Sequence, residues 1–222
     1  MAELVVLAGM IVLVGMMGAG KTTVGRQVAD RLGWPLVDTD EVVAARTGAT
    51  PAQLFGERGE AAFRAEESAA LDEVLRSVRT GAGPVVVATG GGVVVAEANR
   101  QALAAAVADP VCAAAVVWLR AAPGTLAARV GTGEGRPLLA GSPSAALTTL
   151  AAERAGLYEA VATAVVERVR ELLTPLVPIP ANVAPAQAIM PPIKPRHAIS
   201  ESTSPARPRH SVHHAPAMRM RF

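Results

Sequence analysis

The run Gly15-Met16-Met17-Gly18-Ala19-Gly20-Lys21-Thr22 follows the phosphate-binding pattern G-x-x-x-x-G-K-[ST]. Glycines let such a loop turn its backbone N–H groups inward, and the helix that follows adds the partial positive charge of its N-terminus. Gly18, Ala19, Gly20, Lys21, Thr22 and Thr23 are therefore the expected cradle for the phosphates of ATP. Lys21 would neutralise the β- and γ-phosphates, and the Thr22 hydroxyl would face Mg²⁺. A second set follows at Asp38-Thr39-Asp40. Two carboxylates at the carboxyl end of a strand suit phosphoryl transfer, with Asp38 toward the metal and Asp40 toward a hydroxyl acceptor whose proton it takes. Two solvated loop acids are the plainer alternative.

The loop pattern is shared by kinases, GTPases and motor ATPases. The chain carries no NKxD base-recognition motif, and its glycine-rich segment around Arg136-Pro137 supplies an arginine. Those traits favour a small-molecule kinase.

The elements that must position these residues read as follows. Met10–Val14, Leu36–Asp38, Pro84–Thr89 and Ala113–Leu119 are short apolar runs, each expected to be a strand. Helices are expected over Lys21–Leu32, Glu60–Arg79, Ala96–Val107, Pro123–Val130 and Ala145–Val161. Gly131, Gly133, Gly135 and Gly141 make the intervening stretch a mobile loop by composition. Apolar runs without alternation, separated by helices, predict an α/β protein whose parallel sheet is covered on both faces.

Taken together, Gly15–Thr22, Asp38-Thr39-Asp40, Phe63-Arg64, Gly90-Gly91-Gly92, Arg136-Pro137-Leu138-Leu139, Glu153-Arg154 and Leu157-Tyr158 resemble bacterial shikimate kinase over about residues 10–167. The triple glycine and the R-P-L-L segment carry most of that resemblance. It implies a three-layer P-loop kinase fold with about five parallel strands and a lid over about 131–142. It further implies ATP- and Mg²⁺-dependent phosphorylation of the 3-hydroxyl of shikimate. By resemblance Lys21, Asp40 and Arg136 are catalytic, Arg136 being the lid arginine that swings over the transferring phosphate. Asp40, Arg64, Gly90, Gly91, Gly92 and Arg154 meet substrate, with the two arginines gripping its carboxylate. Arg129 stacks on adenine, and Thr22 and Asp38 serve the metal. Plainer roles stand beside these: Arg64 paired with Glu60 or Glu67, Arg154 with Glu153, a strand-end bulge at Gly91, and an exposed helix arginine at 129.

Composition bounds the rest. Of 21 basic and 19 acidic side chains, residues 176–222 hold six and one, leaving 15 and 18, net −3, in residues 1–175. That tail also has all four histidines and nine of the 17 prolines. The basic pI belongs to the tail, which is expected to be disordered, so no nucleic-acid partner follows from it. A lone cysteine, Cys112, fits a reducing cytoplasmic compartment, and no run is long enough to span a bilayer, so no membrane partner is expected. The resemblance adds the expectation of a monomer with a small-molecule substrate. Met10 is an alternative translation start. Near Glu167 the family pattern stops: Ala164-Val165-Val166-Glu167 begins a fifth strand, or Ala145–Leu173 runs on as one helix. A shifted coding frame or a natural extension would each produce this ending. The competing functions are another small-molecule kinase, such as a gluconate kinase, and an inactive nucleotide-binding protein.

Overall fold

The computed structural model describes residues 9–133, 137–139 and 141–167. Five strands form one parallel sheet: β1 (Met10–Val14), β2 (Leu36–Asp38), β3 (Val85–Ala88), β4 (Ala114–Leu119) and β5 (Ala164–Val166), ordered β2-β3-β1-β4-β5. The register aligns Met10 with Val85 on one side and Ala114 on the other. β1, β3 and β4 are buried along their whole length, which is why they are apolar without alternation.

Six α-helices are described: α1 (Lys21–Leu32), α2 (Thr39–Thr47), α3 (Pro51–Arg79), α4 (Glu97–Ala108), α5 (Pro123–Val130) and α6 (Pro143–Val161). The chain leaves β1 toward β2 and returns from β3 across β1 to β4. Right-handed crossovers then put α1 on one face and α3, α4 and α6 on the other. Gly25 lets α1 approach the sheet closely, since a Cβ there would lie 2.9 Å from Leu36 Cδ1 and 3.3 Å from Leu13 Cδ1.

Three elements depart from the sequence reading. α2 falls where no helix was expected; Asp38 caps it, its side chain accepting from the Asp40 N–H, and left-handed Gly48 ends it. α3 starts nine residues before Glu60, at a capping box of Thr50 and Gln53, and breaks within at Gly59 (φ 81°, ψ 172°). α6 stops at Val161 and β5 follows, so the long helix through Leu173 is excluded. β5 pairs with β4 from Val117–Ala164 to Leu119–Val166. Within the expected lid, Pro137–Leu139 forms a 3₁₀ turn with Leu139 buried. Arg136 and the tail at 176–222 lie outside the described residues. No described helix is long and apolar enough to cross a membrane.

Candidate active site

The loop after β1 and the turn after β3 meet at the carboxyl ends of neighbouring strands, where the chain's path reverses direction across the sheet. Gly15, Gly18 and Gly20 adopt φ of 143°, 80° and 93°, values open to glycine and strained for other residues. A Cβ at Gly15 would also sit 2.6 Å from the Leu119 carbonyl oxygen. Lys21 is buried, its Nζ donating to the Gly15 and Met16 carbonyls at 2.8 and 3.0 Å. Its ammonium thus lies folded against the loop it would serve.

Thr22, in the first turn of α1, lies beside Asp38 at the end of β2. Its hydroxyl donates to Asp38 Oδ2 at 2.7 Å, while Asp38 Oδ1 accepts the Asp40 N–H at 3.0 Å. A hydroxyl and a carboxylate in contact are hard oxygen donors, and no cluster of three or more metal-ligating side chains exists among the described residues. That set fits Mg²⁺, which is held by one or two protein oxygens with phosphates and water completing its shell.

Beside the loop lies a cavity of about 210 Å³ lined by Met17, Asp40, Phe63, Arg64, Glu67, Gly90, Gly91, Gly92, Leu138 and Arg154, with Pro51, Ala52 and Phe55 across from them. The three glycines are small because the cavity is full of neighbours. A Cβ at Gly90 would lie 2.4 Å from Glu67 Oε1 and 3.0 Å from Asp40 Oδ1, and one at Gly92 would strike the Arg64 guanidinium. At Gly91 it would lie 3.0 Å from the Met17 backbone nitrogen, closing the gap between the turn and the phosphate loop. The turn is tied to its surroundings by the Gly90 N–H donating to Thr39 Oγ1 at 3.0 Å.

Burial, reinforced by the negative charges of Asp38 and Glu67, pushes the Asp40 carboxyl up to about 6 against the pull of Lys21 and Arg64. Glu67 is the residue that sequence reasoning missed as part of the site. It is 1% exposed, Oε2 accepts from Arg64 Nη1 at 2.8 Å, and Oε1 has no hydrogen-bond partner among the described residues. Burial raises its carboxyl too, opposed by Arg64, Arg154 and Lys21. An unpartnered buried carboxylate oxygen facing a cavity is costly unless something binds there. The spacing from Arg64 to Glu67 was legible; the depth was not, since it depends on Gly90 lacking a side chain.

The arginines are placed as follows. Arg64 does pair with Glu60 and Glu67, yet it also lines the cavity. Arg154 is 6% exposed and turns inward, Nη1 donating to the Gly91 carbonyl at 3.1 Å, so the Glu153 pairing is not its role. Arg129, on α5, donates to the Gly18 and Ala19 carbonyls at 3.3 and 3.4 Å. It borders a second, larger cleft of about 910 Å³ that runs from Ala19 past Trp118 and Arg120 to Glu167. The two clefts flank the phosphate loop. A nucleotide with its phosphates in the loop and an anionic acceptor in the smaller cavity would bring their reacting groups together beside Lys21 and Asp40.

A model of the shikimate kinase family matches residues 17–173, extending past Glu167 where the pattern read from residues had stopped. The shikimate kinase of Halorhodospira halophila is 45% identical over 158 residues, covering 71% of this chain and 82% of that one. That of Thermobifida fusca is 44% identical over 152 residues, 68% and 81% of the two chains. Among solved structures, shikimate kinase from Acinetobacter baumannii in complex with shikimate superposes with a TM-score of 0.66 at 33% identity, covering 78% of this chain and 92% of that one. A gluconokinase from Sinorhizobium meliloti, 23% identical with a TM-score of 0.51 over 77% and 92% of the chains, shares the fold alone. With a phosphate loop, a parallel five-stranded sheet and relatives matched over more than two thirds of their length, the chain belongs to the shikimate kinase family.

Proposed function

We propose that this chain transfers the γ-phosphoryl group of ATP to the 3-hydroxyl of shikimate, giving ADP and shikimate 3-phosphate on the route to chorismate and the aromatic amino acids. The observation that carries the reading is the small cavity itself. It brings an acceptor carboxylate, Asp40, together with two arginines, Arg64 and Arg154, in a volume suited to one small ring. Shikimate offers hydroxyls to the first and a carboxylate to the second.

In the reaction, the 3-hydroxyl oxygen attacks the γ-phosphorus, the bond from that phosphorus to the β–γ bridging oxygen breaks, and the hydroxyl proton passes to Asp40. A carboxylate held near 6 is ionised at neutral pH yet basic enough to accept a proton. Lys21, swinging from the loop carbonyls, neutralises charge on the phosphates, and Gly18, Ala19, Gly20, Thr22 and Thr23 supply N–H donors around them. Mg²⁺ held through Thr22 and Asp38 would neutralise phosphate charge. Arg64 and Arg154 orient the substrate carboxylate, and Gly90–Gly92 shape the floor beneath it. Glu67 holds Arg64 in place and offers Oε1 to substrate or water. Arg129 flanks the base of ATP, and Arg136 covers the phosphates from the lid. We place the enzyme in the cytoplasm as a monomer; sedimentation checks the latter.

An ADP-release assay tests the function with shikimate and gluconate as rival acceptors. Shikimate-dependent turnover that needs added Mg²⁺ and falls by at least about 10²-fold in Lys21→Ala and Asp40→Asn is expected. Faster turnover with gluconate, or undiminished variants, would defeat the reading.

A further inference from the structure

The Leu157-Tyr158 pair belongs to the family resemblance, yet no step above uses it. Tyr158 is the chain's single tyrosine and is 1% exposed. Its ring stacks on Trp118 with centroids 5.6 Å apart and planes 21° from parallel. Its hydroxyl donates to the Gly91 carbonyl at 2.6 Å, and Arg154 Nη1, one helical turn earlier on α6, donates to the same oxygen at 3.1 Å. The two donors fill both lone pairs of that carbonyl. Because the Gly91–Gly92 peptide is planar and trans, fixing the direction of its oxygen also fixes the N–H on its opposite edge. The bond spans 67 residues and joins the last described helix to the turn that floors the cavity. Burial pushes the Tyr158 hydroxyl up to about 12, so it stays a donor across the neutral range.

We infer that Tyr158 is a positioning residue: its hydroxyl holds the Gly90–Gly92 turn, which releases the Arg154 guanidinium from that task and leaves it to the substrate carboxylate. Without the hydroxyl, Arg154 becomes the remaining described donor to a half-buried carbonyl, and reaching for substrate would strand that oxygen. The inference rests on the proposed role of Arg154 as a carboxylate ligand. Trp118, stacked behind Tyr158, lines the larger cleft, so the ring is clamped from the nucleotide side while its hydroxyl serves the acceptor side.

Tyr158→Phe keeps the ring and its stacking and removes only the oxygen. The KM for shikimate should rise about 5- to 30-fold, as expected for a lost hydrogen bond to a half-buried carbonyl, with kcat within about threefold and the KM for ATP within about twofold. In an Arg154→Ala background the same substitution should change the shikimate KM by less than about twofold, since the grip it supports is gone. An equal effect in both backgrounds, a parallel rise in the ATP KM, or no change in the shikimate KM would overturn the inference. An unchanged shikimate KM in Arg154→Ala alone would instead defeat the reading on which it rests. Replacing tyrosine by 3-fluorotyrosine retains the donor at this one position and gives a single ¹⁹F resonance. That chain should bind shikimate as the unlabelled enzyme does, and its resonance should shift on adding shikimate. A stationary resonance or a KM raised as in Tyr158→Phe would count against the positioning role.

Discussion

Asp40 shows how a residue can be built for chemistry against the stability of its own fold. An ordinary aspartate titrates near 3.8, and here burial beside Asp38 and Glu67 holds it near 6. The folded state therefore binds the proton more tightly than the unfolded chain, so stability falls as pH rises through about 6 and is regained as pH drops toward 4. The cost at neutral pH is up to about 3 kcal/mol at 1.36 kcal/mol per unit. Asp40→Asn should accordingly raise the urea midpoint at pH 7.5 while abolishing most turnover. The gain should shrink as pH falls from 6 and vanish near 4. A variant less stable than the parent at pH 7.5 would show that Asp40 is held by favourable contacts instead. The carboxylate pair Asp38 and Asp40 was legible in the sequence because both sit beside the strand end that fixes them. Glu67 was not, because its surroundings come from residues 23 positions away in the chain.

Among the elements, α3 carries the division of labour. Its first turns supply Pro51, Ala52 and Phe55 to the cavity, and its later turns supply Phe63, Arg64 and Glu67. Gly59, between them, adopts a backbone conformation that only glycine enters readily, although space for a side chain is open there. Gly59→Ala should thus cost about 1–3 kcal/mol through backbone strain alone. Relief of that strain would rotate Phe55 away from Phe63, whose ring centroids are 6.0 Å apart. The shikimate KM should rise more than the ATP KM; equal changes would mean that the break does not set the cavity wall. The beginning of this helix was readable after all, since Thr50, Pro51 and Gln53 spell a capping box with proline at the first position. α2 was harder. Asp38-Thr39-Asp40 reads as a catalytic loop, and the same Asp38 that faces Thr22 is also the helix cap. β1, β3 and β4 were plain because parallel strands buried on both faces leave unbroken apolar runs. β2 and β5, each three residues long and half-buried at a sheet edge, stood at the limit of that signal, and β5 was left open between strand and helix.

At the scale of the molecule, the match to the family ends at residue 173, before the basic tail begins. A chain ending at Thr174 should keep its kcat/KM for shikimate within a few fold. It should also lose retention on a cation exchanger at pH 7.5, because the six basic side chains of 176–222 leave with the tail. Loss of turnover on truncation would assign the tail a part in the folded domain. The bond from Gly91 to Tyr158 has a further consequence, in the time of synthesis rather than in energy. The phosphate loop, Asp40, Arg64 and the glycine turn all emerge within the first 92 residues, whereas Arg154 and Tyr158 follow some 67 residues after Gly91. At about 5–20 residues per second, the half-built cavity waits roughly 3–13 s on the ribosome for the helix that completes it. The nascent cavity lacks both donors to the Gly91 carbonyl until α6 has been made.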